Sequence, residues 1–122
     1  MNLWHFVAVL AVHWAGDFLA QSHWMSVNKS KRWDALLLHV AVYTIILYIG
    51  SIIVFWGSNK VPELVLLFVV VNGFLHFWTD LVSSQVTALL WEKKRVHDFF
   101  VVVGFDQLVH QATLAATGWW LL

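Results

Sequence analysis

Four apolar runs, each on the order of 20 residues long, constrain this chain more than any other feature, because that is the length a helix needs to cross the hydrocarbon core of a bilayer. They cover about residues 3–21, 35–56, 63–90 and 99–122. Of the 122 residues, 61% are hydrophobic and 11% charged, and the mean hydropathy is +0.74. A chain this short hides only about two-thirds of its surface on folding, so water is a poor solvent for it and lipid a natural one. The expected fold is all-α, a four-helix transmembrane bundle forming one integral membrane domain over residues 1–122. The first run lacks a basic leader and carries His5, His13 and Asp17, so it reads as a retained helix rather than a cleaved signal peptide.

The connectors orient the bundle. Lys29, Lys31 and Arg32 lie in the first, Lys60 in the second, and Lys93, Lys94 and Arg95 in the third. Six of the seven basic residues therefore share one side, which the positive-inside rule assigns to the cytoplasm. That predicts a cell (inner) membrane protein with both termini outside the cytoplasm. Tryptophan prefers the membrane–water boundary. Trp24, Trp33 and Trp91 mark the inner boundary on this reading, and Trp4, Trp56, Trp119 and Trp120 the outer one, with Trp14 and Trp78 at mid-depth.

Against this apolar background the ionisable residues stand out, since each costs roughly 2.5–3.5 kcal/mol to insert at the centre of a span. His13 and Asp17, His76 and Asp80, and Asp106 and His110 are three His/Asp pairs at a separation of four, and His39 stands near the start of the second helix. Residues at i and i+4 share a helix face one turn apart. The order within the pair is reversed in the fourth helix, as antiparallel neighbours require. Counted from the cytoplasmic ends, Asp17, His39, Asp80 and Asp106 lie one to two turns in, and His13, His76 and His110 about one turn deeper. All seven are expected to meet at one level in the cytoplasmic half of the bundle. Gln21, Asn72 and Gln107 lie on the same edges as supporting hydrogen-bond partners, and Gly16, Gly73 and Gly104 lie beside them, where small residues let helices approach.

Four imidazoles and three carboxylates suit one or two divalent ions, zinc first, with manganese or iron as alternatives. The seven ligands exceed what one tetrahedral ion takes. They fit either one metal with outer carboxylates orienting the imidazoles, or two metals bridged by an Asp. Asp17, Asp80 and Asp106 are then the candidates for acid–base work. The chain has no Cys, which excludes disulfides and thiolate chemistry, and its net charge of zero gives no surface for nucleic acid. Membrane lipid is the expected partner, and a homo-oligomer is compatible with so small a protein. His23 and His97 fall in polar connectors and read as solvated.

The stretch from His13 through Asp17 to Gln21, His39 at the second helix, His76 with Asp80, and Asp106-Gln107 with His110 resemble the family called domain of unknown function 3307, small bacterial and phage membrane proteins. The resemblance spans nearly the whole chain. It implies the membrane fold and the importance of these polar positions, and it implies no reaction. A looser similarity to inner-membrane metal-dependent hydrolases, which also set His and Asp in their helices, points toward hydrolysis. The leading expectation is thus an intramembrane metal-binding protein acting as a hydrolase on a lipid or lipid-linked substrate. The alternatives are a proton or divalent-metal transporter or channel, and a non-enzymatic membrane interaction protein whose polar cluster is structural. No Ser-His-Asp spacing supports a covalent serine mechanism, although Ser83 and Ser84 lie near Asp80.

Overall fold

Each helix begins where the sequence supplies a start signal. In this computed structural model of residues 1–122, Asn2 caps α1 (Leu3–Trp14) by accepting the His5 N–H at 2.8 Å. Ser22 caps a short helix α2 (His23–Asn28) in the same way, accepting the Met25 N–H at 3.2 Å. Helix α3 (Trp33–Val54) has Asp34 in its first turn, and α4 (Pro62–Glu92) opens with Pro62 and Glu63. A proline is tolerated there because its missing N–H has no helical partner in any case, and an acidic first turn complements the helix dipole. Helix α5 (Val96–Leu121) completes an all-helical chain with no strand.

Three helices, α3, α4 and α5, are long and apolar enough to cross a membrane, whereas the first apolar element is shorter and ends at Leu19. Its last turn, Ala15–Leu19, is π-helical, and the Ala20 N–H reaches back to the Ala15 carbonyl at 2.9 Å. The polar connector after it contains α2. Helix α4 runs to Glu92, close to the end of the third apolar run near residue 90. Its 31 residues measure about 46 Å, well beyond a hydrocarbon core of about 30 Å.

Helix α1 packs on α3, α3 on α4, α4 on α5, and α5 returns to α1, so the four long elements close a ring of sequence neighbours. Short connectors make such neighbours antiparallel. Helix α2 lies against α3. Two glycines permit the close approaches that matter here. A Cβ on Gly73 would come within 2.7 Å of Thr44 Oγ1, and one on Gly16 within 3.1 Å of Tyr43 Cδ2. Gly104, expected to serve the same purpose, faces open space.

The distribution of polarity is inside out. Nine of the 24 buried residues are polar or charged, while Ile45, Ile53, Val70, Phe74, Val82 and Phe105 are among the many large apolar side chains on the outside. At one end of the ring the interior is apolar, built from Val9, Leu47, Phe55, Phe68, Val69 and Leu114. The buried His and Asp side chains occupy the interior beyond that plug.

Candidate metal centre

Helix spacing brings all seven His and Asp residues into one connected cluster. At its heart are four ligand atoms from three elements: Asp17 Oδ1 from the π turn, His39 Nε2 from α3, and His76 Nε2 and Asp80 Oδ2 from α4. His39 Nε2 lies 3.0 Å from Asp80 Oδ2, 3.1 Å from His76 Nε2 and 3.2 Å from Asp17 Oδ1. His76 Nε2 lies 3.5 Å from Asp17 Oδ1 and 3.8 Å from Asp80 Oδ2. A tetrahedral ion with N and O ligands at about 2.0–2.2 Å sets its ligand atoms about 3.3–3.5 Å apart, so these five separations straddle the edges such an ion needs. Two ring nitrogens pointing at one spot, flanked by two carboxylates, could hold a metal ion. All four residues are buried.

The remaining oxygens continue the cluster. Asp80 turns its Oδ1 to His110 Nε2 at 3.2 Å, and His110 Nε2 lies 3.5 Å from Asp106 Oδ1. Asp17, Asp106 and His110 form a second group able to hold an ion. Asp17 belongs to both groups, and Asp80 faces both sides through different oxygens. Gln107 ties them together, with Nε2 donating to Asp17 Oδ2 at 2.8 Å and to Asp106 Oδ2 at 3.1 Å.

His13 stands outside both groups. Its Nε2 is 3.9 Å from Asp17 Oδ2 and within 3.1 Å of Gln107 Oε1, while its Nδ1 faces the Tyr43 hydroxyl at 3.1 Å. Asn72 points elsewhere, donating to the Phe68 carbonyl and to Thr117 Oγ1, both at 2.8 Å, which ties α4 to α5. Gln21 Oε1 is buried without a partner at the edge of the cluster. His23 and His97 are exposed, as expected.

Two residues at the centre are not marked as such by the sequence. Tyr43 stacks flat on the His76 ring, with centroids 3.8 Å apart and planes 7° from parallel, and so fixes that imidazole while its hydroxyl meets His13. Lys29, which reads as a topological charge, reaches in from the end of α2 and places Nζ 2.8 Å from Asp80 Oδ2. The one available signal is Ser22, a capping residue whose helix carries Lys29 back toward the bundle.

The charges of the cluster are unequal. Asp17, Asp80 and Asp106 bring three carboxylates, and Lys29 is the single Lys or Arg paired with them. Charges left uncompensated in a low-dielectric interior are strongly unfavourable. With every imidazole neutral, a divalent cation between His39 and His76 would bring the sum to zero.

A cavity of about 650 Å³ opens directly below. Asp17, Asp106 and Gln107 form its inner end. The overhanging ends of α4 and α5 form one wall, and the π turn with α2 the other, so the extra length of α4 is what encloses it.

The sequence profile of a family described as protein of unknown function, DUF3307, matches residues 5–121, and the chain belongs to that family. No curated protein and no solved structure matches it.

Proposed function

We propose that this protein is an intramembrane metal-dependent hydrolase, a four-helix transmembrane bundle of one domain that acts on a lipid or lipid-linked substrate. The observation that carries the reading is the quartet Asp17, His39, His76 and Asp80, with near-tetrahedral separations and a substrate-sized cavity beside it. The membrane assignment is supported by the inside-out polarity and by three helices of spanning length. The first helix, with its π turn, is the fourth and shortest span. The basic connectors orient it in the inner membrane with both termini outside the cytoplasm, so the cavity opens toward the cytoplasmic leaflet.

In this reading Asp17, His39, His76 and Asp80 hold the first ion, zinc by preference with manganese or iron as alternatives, and Asp106 and His110 with Asp17 offer a place for a second. The ion would supply Lewis acidity and would lower the pKa of a water toward about 7 once one of the four side chains gave up its place to it. Asp106 is the general base. It borders the cavity and its Oδ1 lies 3.5 Å from His110 Nε2, an imidazole that can share the proton taken from an attacking water. Gln107 orients both Asp17 and Asp106. His13 and Tyr43 hold Gln107 and the His76 ring rather than the metal.

The plug of Val9, Leu47, Phe68 and Leu114 argues against a transporter or channel, because Ser51 and the Asn72–Thr117 pair are isolated polar groups beside it and carry no ionisable relay. The cavity argues against a purely structural cluster, since a closed site would serve that purpose better.

The test is turnover of a panel of labelled ester, amide and phosphodiester lipids by protein in nanodiscs. Hydrolysis should vanish with a chelator and return with zinc or manganese. Asp106→Asn should keep the ion held by Asp17, His39, His76 and Asp80 and slow the reaction by about 10²–10⁴-fold, the usual contribution of a general base. Metal-loaded protein that cleaves none of the panel, or an Asp106→Asn variant at full rate, would refute the reading.

A further inference from the structure

The cavity carries more information than its size. Its charged lining is Asp17 and Asp106 from the cluster, Glu92 at the end of α4, and Lys29 and Lys31, with Ser84 beside them. Lys29 extends from the connector to the cluster itself. Lys31 forms no ion pair with any carboxylate in the protein, so its charge is free for a ligand. Ser84 is only 6% exposed, and its Oγ has no protein partner, an unusual state for a buried hydroxyl. A ligand that accepts a hydrogen bond satisfies this hydroxyl; an apolar one leaves it bare.

Aromatic and apolar side chains from both walls make up much of the rest of the lining. They include Phe18, Phe99, Phe100, Val103 and Trp91, and Phe18, Phe100 and Trp91 are also exposed on the outer surface. The cavity wall is therefore continuous with the apolar exterior. A ligand can present a polar head to the lysines while its tail stays beside the protein. The volume falls within the roughly 300–1,000 Å³ of small-molecule sites, enough for a headgroup and the first part of its chains.

From this juxtaposition we infer that the cavity is the headgroup site for an anionic phospholipid, with its phosphate held between Lys29 and Lys31, the Ser84 hydroxyl donating to it, and its acyl chains leaving past Phe18 and Phe100. The inference rests on the metal reading of the His/Asp cluster, because a divalent ion neutralises the carboxylates that otherwise repel a phosphate at the inner end. Charge-assisted bonds from lysine to phosphate are strong but carry little geometric selectivity, so headgroup charge should matter more than headgroup shape.

The experiment is calorimetric titration of detergent-purified protein with dioctanoyl phosphatidic acid, dioctanoyl phosphatidylcholine and inorganic phosphate, with the metal content of each sample measured in parallel. Phosphatidic acid should bind saturably and at least tenfold more tightly than phosphatidylcholine. Lys31→Gln, an exposed position that disturbs no packing, should weaken it roughly tenfold, or about 1.4 kcal/mol. Val103→Trp, which fills the cavity, should abolish binding while the metal stays. Equal affinity for the two lipids, or phosphatidic acid binding unchanged in both variants, would overturn the proposal. So would inorganic phosphate binding as tightly as phosphatidic acid, since that describes an anion site without a lipid. Metal retained without lipid selectivity overturns the headgroup site alone. Lipid selectivity in metal-free protein overturns the metal reading and leaves the headgroup site standing.

Discussion

Replacing Asp80 with Asn keeps the side chain's shape and removes its charge and one acceptor oxygen. Asp80 Oδ2 accepts from Lys29 Nζ at 2.8 Å and faces His39 Nε2 at 3.0 Å, and Oδ1 faces His110 Nε2 at 3.2 Å. With its oxygen in the Oδ2 place the amide keeps the Lys29 and His39 contacts and turns its NH₂ to His110 Nε2, so one of the three charge-assisted contacts is lost. Hydrogen bonds to a charged group contribute about 1.5–3 kcal/mol each, so the loss costs about 1.5–3 kcal/mol. Neutralising the carboxylate also weakens its pair with Lys29, and breaking a buried ion pair outright costs about 3–5 kcal/mol. The lower end applies because the Lys29 side chain is 18% exposed and can withdraw into the cavity. Unfolding in mixed micelles of increasing dodecyl sulfate, followed by circular dichroism, measures the loss. Asp98→Asn is the control, since its pair with Arg95 is exposed and should contribute less than about 1 kcal/mol. If Asp80→Asn unfolds within about 1 kcal/mol of wild type, Asp80 does not hold the cluster together.

Other perturbations separate the parts of the account. Tyr43→Phe removes the hydroxyl that meets His13 but keeps the ring on His76, so it should cost about 1 kcal/mol in the same unfolding assay and leave metal content unchanged. Gly73→Val drives a side chain into Thr44 and should destabilise by about 1–3 kcal/mol, whereas Gly104→Ala, with open space around it, should unfold like wild type. Chelation should lower the thermal midpoint of wild-type protein, because an ion that binds only the folded state stabilises it, and excess zinc should restore it. Acidification should strip the ion as protons compete for His39 and His76, read as metal released on a desalting column.

Much of the fold and the cluster is legible in the amino-acid order because helices are regular. Pairs at a separation of four must share a face, so His76 with Asp80 and Asp106 with His110 can be matched across antiparallel neighbours from spacing alone. The convergence of His76, Asp80, Asp106 and His110 follows from that regularity. The rest depends on irregular backbone or on long-range packing. Asp17 sits in a π turn that periodicity does not announce, and a wider turn redirects its carboxylate. Lys29 reads as a cytoplasmic charge because the Ser22 cap signals a short helix but not that it folds back. Tyr43 reads as an ordinary aromatic in a span, since stacking on His76 joins residues from different helices. Asn72 is on the correct edge, but its amide is taken by Thr117. The length of α4 is legible to about residue 90, but the cavity that its overhang encloses is not, because that depends on where α2 and α5 pack.

The most direct measurement is elemental mass spectrometry of detergent-purified protein prepared without chelator, comparing wild type with His39→Ala, His76→Ala and His13→Ala. The quartet predicts about one or two equivalents of zinc, manganese or iron in wild type, near-complete loss in His39→Ala and His76→Ala, and retention in His13→Ala, whose ring lies outside both ligand groups. Metal-free wild-type protein, or equal loss from all three variants, would contradict a metal held by Asp17, His39, His76 and Asp80.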